Sequence, residues 1–343
     1  MNNETKIICT IGPASSAENI LKKMALVGMN VVRLNMSHGT HKAHEMVIKT
    51  IRKINSENNL NIKILLDLEG YRIRIGILDK PVEIINNELI MLSAVKCDTS
   101  MRCMSFDYTG DLNMIPINSD LFIDDGHLRL KVIEIEKNAI LLKVLQGGIV
   151  NSRKGINIPD LKIPNSQLSK QDMFDIQFGL THKVDFIAQS FVDNAASIKL
   201  VVDEINKRDG NSSVIAKIEN REGVHNIDAI IKSCDGIMIA RGDLGISLPI
   251  YKVPIIQKYI IKRCNKLKKH SIIATQMLES MIDSLYPSRA EVSDIANAIY
   301  DQGDYLMLSA ETAVGKYPVQ SVQMMQEIIE FTEKSINIRP NLK

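Results

Sequence analysis

The sequence lacks the features that would direct a protein to nucleic acid or to a membrane. Its 42 basic and 40 acidic residues leave a formal charge of only +2, without the basic excess typical of proteins that bind nucleic acid or anionic lipid. No stretch approaches the roughly 20 apolar residues of a membrane-spanning helix, and the first residues do not form a signal peptide. We therefore expect a cytoplasmic protein with neither partner.

Paired cysteine motifs are also missing. The sequence has five cysteines and no CxxC motif, and an odd number without such spacing argues against a disulfide framework or a zinc knuckle. Reduced thiols in the cytosol are the simplest expectation. Low-complexity segments and solenoid repeats are absent as well, which favours an ordinary globular fold.

Short apolar runs rich in β-forming residues are present, and longer amphipathic stretches separate them. The eight runs cover residues 6–11, 31–34, 63–67, 185–190, 214–218, 236–240, 271–275 and 305–309. Most successive runs begin roughly 22 to 35 residues apart, which suits one strand followed by one helix. Near-continuous apolar strands indicate a buried parallel sheet. The sequence therefore predicts an α/β fold, a (β/α)8 TIM barrel.

One connection is far longer than the others, because the third run begins at residue 63 and the fourth at residue 185. Residues 71–150 within it read as short alternating strands with turns, typical of a small all-β module. An insertion after the third strand would lie over the C-terminal mouth of the barrel, as a lid does. We predict a barrel of residues 1–70 and 151–343 and a lid of residues 71–150.

Polar and ionisable residues follow most of the predicted strands, at the end of a barrel where active sites form. They are Arg33, Asn35, Ser37 and His38 after the second strand, Asp67 after the third, Lys217 and Glu219 after the fifth, Arg241, Gly242 and Asp243 after the sixth, Thr275 and Gln276 after the seventh, and Ser309 and Glu311 after the eighth. The alternative interpretation is a ring of solvated loop charges.

Two carboxylates in this set, Glu219 and Asp243, are of the kind that binds Mg²⁺. Lys217 lies two residues before Glu219, so both side chains share one face of an extended strand. A lysine beside a bound Mg²⁺ suits the stabilisation of a phosphoryl or enolate oxyanion, although a structural Lys217–Glu219 ion pair is an open alternative. Zinc is less favoured, and we expect His41 and His44 to be solvated helix residues.

Several long stretches resemble the pyruvate kinase family along nearly all of the predicted barrel. They are residues 5–15, 28–39, 123–126, 154–159, 184–191, 216–224, 233–249, 274–282 and 287–322. The resemblance implies phosphoryl transfer from phosphoenolpyruvate to ADP, giving pyruvate and ATP.

The resemblance also implies roles for individual residues. Glu219 and Asp243 would hold Mg²⁺ or Mn²⁺, and Lys217 and Arg33 would neutralise the transferring phosphoryl group. The further assignments are Gly242 and Asp243 for the substrate carboxylate, Thr275 beside the protonated carbon, Ser309 and Glu311 in a proton relay, Arg72 as a catalytic cation, and Asn35, Ser37, His38, Arg74, Lys154 and Asp125 for the nucleotide.

The sequence departs from the family pattern where the lid joins the barrel. Leu68 and Arg72 resemble members that work without potassium, so we expect K⁺ not to be required. Glu69 and Tyr71 fit neither kind of member. They motivate one alternative, a phosphotransferase with another enol acid or acceptor. A Mg²⁺-enolate aldolase is a further alternative, against which the inserted lid and Lys217 argue, and the retained catalytic side chains argue against a non-catalytic binding protein. The sequence ends after the eighth helix, so we expect no sugar-phosphate effector domain and a homodimer formed through barrel helices.

Overall fold

The computed structural model describes residues 5–95, 102–159, 161 and 168–337. The chain divides into two compact units. The first consists of Met1–Gly70, Gln167–Arg241 and Tyr251–Lys343, and the second of Tyr71–Ser166 and Gly242–Ile250.

The first unit contains a closed barrel of eight parallel strands. Their bounds are Lys6–Thr10, Met29–Asn35, Lys63–Asp67, Phe186–Gln189, Ser213–Ile218, Gly236–Ala240, His270–Ala274 and Tyr305–Leu308. They follow one another around the barrel in chain order, and the first closes on the eighth with Lys6 opposite Tyr305. Each predicted run overlaps one of these strands, so the predicted fold class is confirmed.

Apolar side chains fill the barrel interior. Its buried cluster comprises Ile8, Val31, Leu65, Ala188, Ile215, Met238, Ile272, Ala274, Tyr305 and Met307. The strands are covered by helices on their other side, which explains why the runs are continuously apolar rather than alternating. This packed interior fixes the ends of the strands from which polar side chains project.

Helices follow the strands and end at regular caps. Their bounds are Glu18–Leu26, His41–Asn58, Lys170–Thr181, Ala195–Asn206, Arg221–His225, Ile227–Ser233, Arg241–Ser247, Val253–Leu267, Arg289–Tyr300, Ala310–Ala313 and Pro318–Asn337, with 3-10 turns at Leu112–Met114, Ile250–Lys252 and Glu279–Ile282. Ser288 forms a capping box with Glu291, which satisfies otherwise unpaired amides. Within the described ranges, no helix has the length and apolarity needed to cross a bilayer.

The second unit is built on β-structure. A seven-stranded sheet contains Ile73–Arg74, Leu89–Ser93, Cys103–Ser105, Asp120–Ile123, Leu128–Ile135, Ala139–Gln146 and Gly155–Asn157, and a two-stranded sheet pairs Val82–Ile84 with Gly148–Val150. The sheet encloses its own core, which includes Leu92, Leu130 and Leu142. Its strand Gly155–Asn157 pairs with Ile73–Arg74, so the sheet extends beyond residue 150, the predicted end of the insertion.

The cysteines differ between the two units. Cys9, Cys234 and Cys264 are buried free thiols in the first unit, and burial raises the pKa of Cys234 to about 12. These three agree with the expectation of reduced thiols. Cys103, in the second unit, is disulfide-bonded, so that expectation is wrong there.

Candidate active site

Charged side chains from two barrel strands converge on one buried carboxylate, Asp67, at the end of a third. Arg33 Nε donates to Asp67 Oδ2 at 2.6 Å, and Lys217 Nζ lies 3.1 Å from Asp67 Oδ1. Lys217 Nζ also lies 3.2 Å from Glu219 Oε1. The side chains of Asp67 and Glu219 are only 1% and 2% exposed. For these four residues, the interpretation as solvated loop charges is therefore wrong.

The electrostatic balance of this cluster favours an ionised Asp67. Burial by itself would raise the pKa of Asp67, but the positive charges of Lys217 and Arg33 outweigh burial and hold this pKa below its ordinary value. Two buried cations thus share one ionised carboxylate. We name Arg33, Asp67, Lys217 and Glu219 the buried charge cluster.

Two hydroxyl groups that the sequence analysis does not identify also contact the cations. Lys217 Nζ donates to Ser190 Oγ at 2.7 Å, and Arg33 Nη1 donates to Thr10 Oγ1 at 2.9 Å. Ser190 is the last residue of its predicted run and Thr10 the last but one of its own, on the same rim as the charged residues. Their position at strand ends was the signal that could have found them.

Glu219 is held by backbone as well as by Lys217. Its Oε2 accepts from the N–H of Phe191 at 2.5 Å, and Phe191 adopts a left-handed conformation with φ of 54°. The loop after the fourth strand is therefore shaped around this carboxylate. Each carboxylate oxygen has more than one lone pair, so Glu219 can keep these contacts and still bind a metal ion.

Asp243 and Gly242 begin the helix Arg241–Ser247, directly after the sixth strand. Both belong to the second unit, whereas Glu219 belongs to the first. Among the described residues, no group of three or more His, Cys, Asp or Glu side chains is arranged to hold a metal ion. A pair of carboxylates suits Mg²⁺, which keeps several water ligands and needs few from the protein.

Arg241 supports the loop that carries Thr275. Its guanidinium donates to the carbonyl of Thr275 at 2.7 Å and to Asp294 Oδ2 at 2.5 Å. Thr275 and Gln276 both have positive φ, 69° and 55°, a conformation that is strained for a β-branched residue. Arg241 thus stabilises an unusual backbone at the end of the seventh strand.

Glu311 is a buried carboxyl group after the eighth strand. It accepts from the N–H groups of Ser309 and Leu278 at 2.7 and 3.1 Å. Burial raises the pKa of Glu311 above its ordinary value, and the backbone hydrogen bonds offset only part of that effect. The neighbouring Ser309 Oγ is buried and has no hydrogen-bond partner among the described residues. This carboxyl group is suited to holding a proton.

The loop after the second strand brings Asn35, Ser37 and His38 into one turn. Asn35 Oδ1 accepts from the N–H of Ser37 at 3.1 Å, and the N–H of His38 donates to the carbonyl of Asn35 at 3.2 Å. His44 is buried, burial lowers its pKa, and its Nε2 lies 2.9 Å from the carbonyl of His38. The expectation of a solvated His44 is therefore wrong.

The predicted residues of the second unit form partly exposed ion pairs. Arg72 Nη2 contacts Asp125 Oδ1, whose side chain is 64% exposed, and Lys154 Nζ lies 2.8 Å from Asp124 Oδ1. A β-carbon at Gly155 would lie 2.4 Å from Arg72 Nε, so a larger residue at this position would displace the guanidinium.

Arg74 lies in the same sheet. Its Nη1 donates to the carbonyl of Arg153 at 3.1 Å, and its N–H donates to Asp107 Oδ1 at 2.6 Å. The second unit thus offers several cations that are accessible from solvent, in contrast to the buried charge cluster of the first.

Comparison with known proteins gives consistent matches. A family model described as the barrel domain of pyruvate kinase matches residues 2–322. A pyruvate kinase of Geobacillus stearothermophilus is 40% identical over 343 residues, which cover 99% of this chain and 58% of that protein. A pyruvate kinase of Staphylococcus aureus (strain MRSA252) is 40% identical over 328 residues, 95% of this chain and 56% of that protein. The chain thus spans little more than half the length of these curated relatives.

Proposed function

Since the chain belongs to the pyruvate kinase family, we propose that it transfers a phosphoryl group from phosphoenolpyruvate to ADP, giving ATP and, after protonation of the enolate, pyruvate. The observation that carries this proposal is the buried charge cluster. Phosphoryl transfer depends mainly on positioning and on electrostatic stabilisation of the charge on the transferring group. Cations that are already fixed need little reorganisation during the reaction.

Lys217 and Arg33 act on the transferring phosphoryl group in this proposal. Asp67 contacts both cations, so neither is free to turn toward bulk water. Because a single carboxylate balances only one of these two positive charges, the pair can still attract a negatively charged substrate oxygen. The low exposure of Asp67 strengthens these interactions by excluding water.

Glu219 and Asp243 are the proposed ligands of Mg²⁺, with Mn²⁺ as a substitute. The buried Glu219 carboxylate and the position of Asp243 after the neighbouring strand support this assignment. When bound, the ion would supply positive charge for the phosphoryl and enolate oxygens. The N–H groups of Gly242 and Asp243, at the start of a helix, would receive the substrate carboxylate.

Protonation of the enolate is assigned to the ends of the seventh and eighth strands. Thr275 would lie beside the carbon that receives the proton. The raised pKa of Glu311 supports a role for Glu311 and Ser309 in holding and passing that proton.

ADP is assigned to Asn35, Ser37, His38, Arg74, Lys154 and Asp125. Arg72 is the proposed replacement for a potassium ion, because a tethered guanidinium supplies a permanent charge. We therefore expect equal rates in potassium and tetramethylammonium salts. A strong requirement for K⁺ would refute this assignment.

A homodimer is the proposed assembly. Ile255 and Tyr259 lie four residues apart in the helix Val253–Leu267 and are 67% and 47% exposed, and Tyr251, in the 3-10 turn before that helix, is 74% exposed. Residues four apart share a helix face, so Ile255 and Tyr259 present an apolar surface that suits a second copy of the chain. A sedimentation profile of a monomer at micromolar concentration would contradict it. The cytoplasm stays the expected compartment.

The decisive experiment incubates the protein with phosphoenolpyruvate, ADP and Mg²⁺ and measures both pyruvate and ATP. We expect the two products in equal amounts and no turnover after chelation of the metal. Glu69 and Tyr71, which depart from the family pattern, favour a second candidate with another enol acid or acceptor. Turnover only with such a substrate would move the proposal to that candidate.

A further inference from the structure

Ser190 joins the buried charge cluster to the segment where the chain leaves the barrel. It follows the fourth strand and is buried. Its hydroxyl donates to the carbonyl of Leu68 at 2.7 Å and accepts from Lys217 Nζ at 2.7 Å. A serine hydroxyl has a single hydrogen, so donation to Leu68 turns its lone pairs toward the lysine. The direction of this hydrogen bond is thereby fixed.

The segment from Leu68 to Gly70 is itself held on several sides. The N–H of Leu68 donates to the carbonyl of Ala188 at 2.9 Å, and the N–H of Gly70 donates to Asp172 Oδ1 at 3.1 Å. Gly70 has φ of 69°, and a β-carbon there would lie 3.0 Å from Cβ of Ser190. Ser190 is therefore packed against a backbone that has little room to shift.

We propose that Ser190 is a positioning residue that sets the direction of the Lys217 ammonium group. The inference rests on the proposed role of Lys217. The ion pairs of Lys217 Nζ with Asp67 Oδ1 and Glu219 Oε1 have lengths of 3.1 and 3.2 Å, whereas its hydrogen bond to Ser190 Oγ is 2.7 Å long. Because the Ser190 hydroxyl is itself oriented by its donation to the carbonyl of Leu68, it fixes the direction of one N–H bond of the ammonium group.

The test compares Ser190→Ala and Ser190→Cys with the matched control Ser271→Ala. Ser271 is fully buried and donates to Asp304 Oδ2 at 2.9 Å. It lies near the N-terminal end of its strand, whereas Ser190 follows the C-terminal end of its own strand. We expect both Ser190 variants to lower kcat about tenfold with little change in KM for ADP. A thiol fills the same place but is a weak acceptor, so Ser190→Cys should remain impaired. Ser271→Ala should keep the wild-type kcat.

A second measurement does not depend on turnover. Crystal structures of Ser190→Ala and Ser271→Ala would show directly where the Lys217 ammonium group lies. Without the Ser190 acceptor, we expect Lys217 Nζ to leave its position 3.1 Å from Asp67 Oδ1. Ser271→Ala should leave that position unchanged.

The two measurements separate the possible failures. A wild-type kcat together with a wild-type position of Lys217 Nζ in Ser190→Ala would overturn the positioning role, and so would full recovery in Ser190→Cys, because shape alone would then suffice. If the wild-type protein does not turn over phosphoenolpyruvate but Ser190→Ala still displaces Lys217 Nζ, the proposed function fails and the positioning role stands.

Discussion

The two units hold their charged side chains in opposite ways. In the barrel, Asp67 is 1% exposed and contacts both Arg33 and Lys217. In the second unit, Arg72 pairs with Asp125, whose side chain is 64% exposed. Removing one partner of a buried pair leaves an uncompensated charge and costs about 3–5 kcal/mol, whereas an exposed pair contributes about 0–1 kcal/mol. Similar chemical groups thus have very different energetic consequences.

This difference suits two different tasks. Charges that must stabilise a transition state are most effective when they are fixed before the substrate arrives. Charges that receive a nucleotide phosphate have to release water and to exchange partners, which exposed pairs do easily. The following substitutions test this division, beginning with the largest expected effect.

The largest effect is expected for Asp67→Asn. The amide cannot balance two buried cations, so the free energy of unfolding should fall by about 3–5 kcal/mol at neutral pH. Urea unfolding followed by circular dichroism measures this change. The control, Asp125→Asn, removes an exposed partner of Arg72 and should change stability by less than about 1 kcal/mol. Equal losses of unfolding free energy in the two variants would contradict the claimed difference between buried and exposed ion pairs.

The difference in unfolding free energy between wild type and Asp67→Asn should depend on pH. The pKa of Asp67 is lower in the folded protein than its ordinary value, so its stabilising contribution is complete above the ordinary aspartate pKa. It is lost as the pH falls through the lowered pKa of the folded state. The stability gap between wild type and Asp67→Asn should therefore narrow in acid. A gap that widens as the pH falls would contradict the ionised state of Asp67.

Lys217→Met tests whether the buried charge cluster acts on the reaction. Methionine is an unbranched side chain one atom shorter than lysine and has no charge, so kcat should fall on the order of 100-fold or more. Lys63→Met is the matched control, because Lys63 begins the third strand and pairs with Asp185 at the other end of the barrel. It should retain nearly full activity. Little loss in Lys217→Met would overturn the assigned role.

Much of this architecture follows from local patterns in the sequence. The eight barrel strands are visible as apolar runs because parallel strands are buried on both faces. Lys217 and Glu219 are visible because alternation places residues two apart on one face of a strand. The fold and the barrel half of the candidate site depend on such short-range regularities.

Other parts of the site depend on contacts between residues far apart in the chain. No local pattern shows that Ser190 contacts Lys217, or that Gly155 leaves room for Arg72. His44 is misjudged for the same reason, since its burial comes from tertiary packing rather than from helical spacing. The strand Gly155–Asn157 has only three residues, too few to show an alternating pattern in the sequence.

Arg72→Glu sharpens the comparison from the side of the exposed pairs, and its expected effect is the smallest. The substitution replaces a tethered cation with an anion beside Asp125, so the rate in tetramethylammonium salt should fall about tenfold. Potassium should restore much of that loss, because a bound ion can supply the missing charge. Arg102→Glu, which removes the exposed partner of Glu88, is the control and should respond equally to both salts. An equal loss for Arg72→Glu in both salts would show that Arg72 does not stand in for a bound cation.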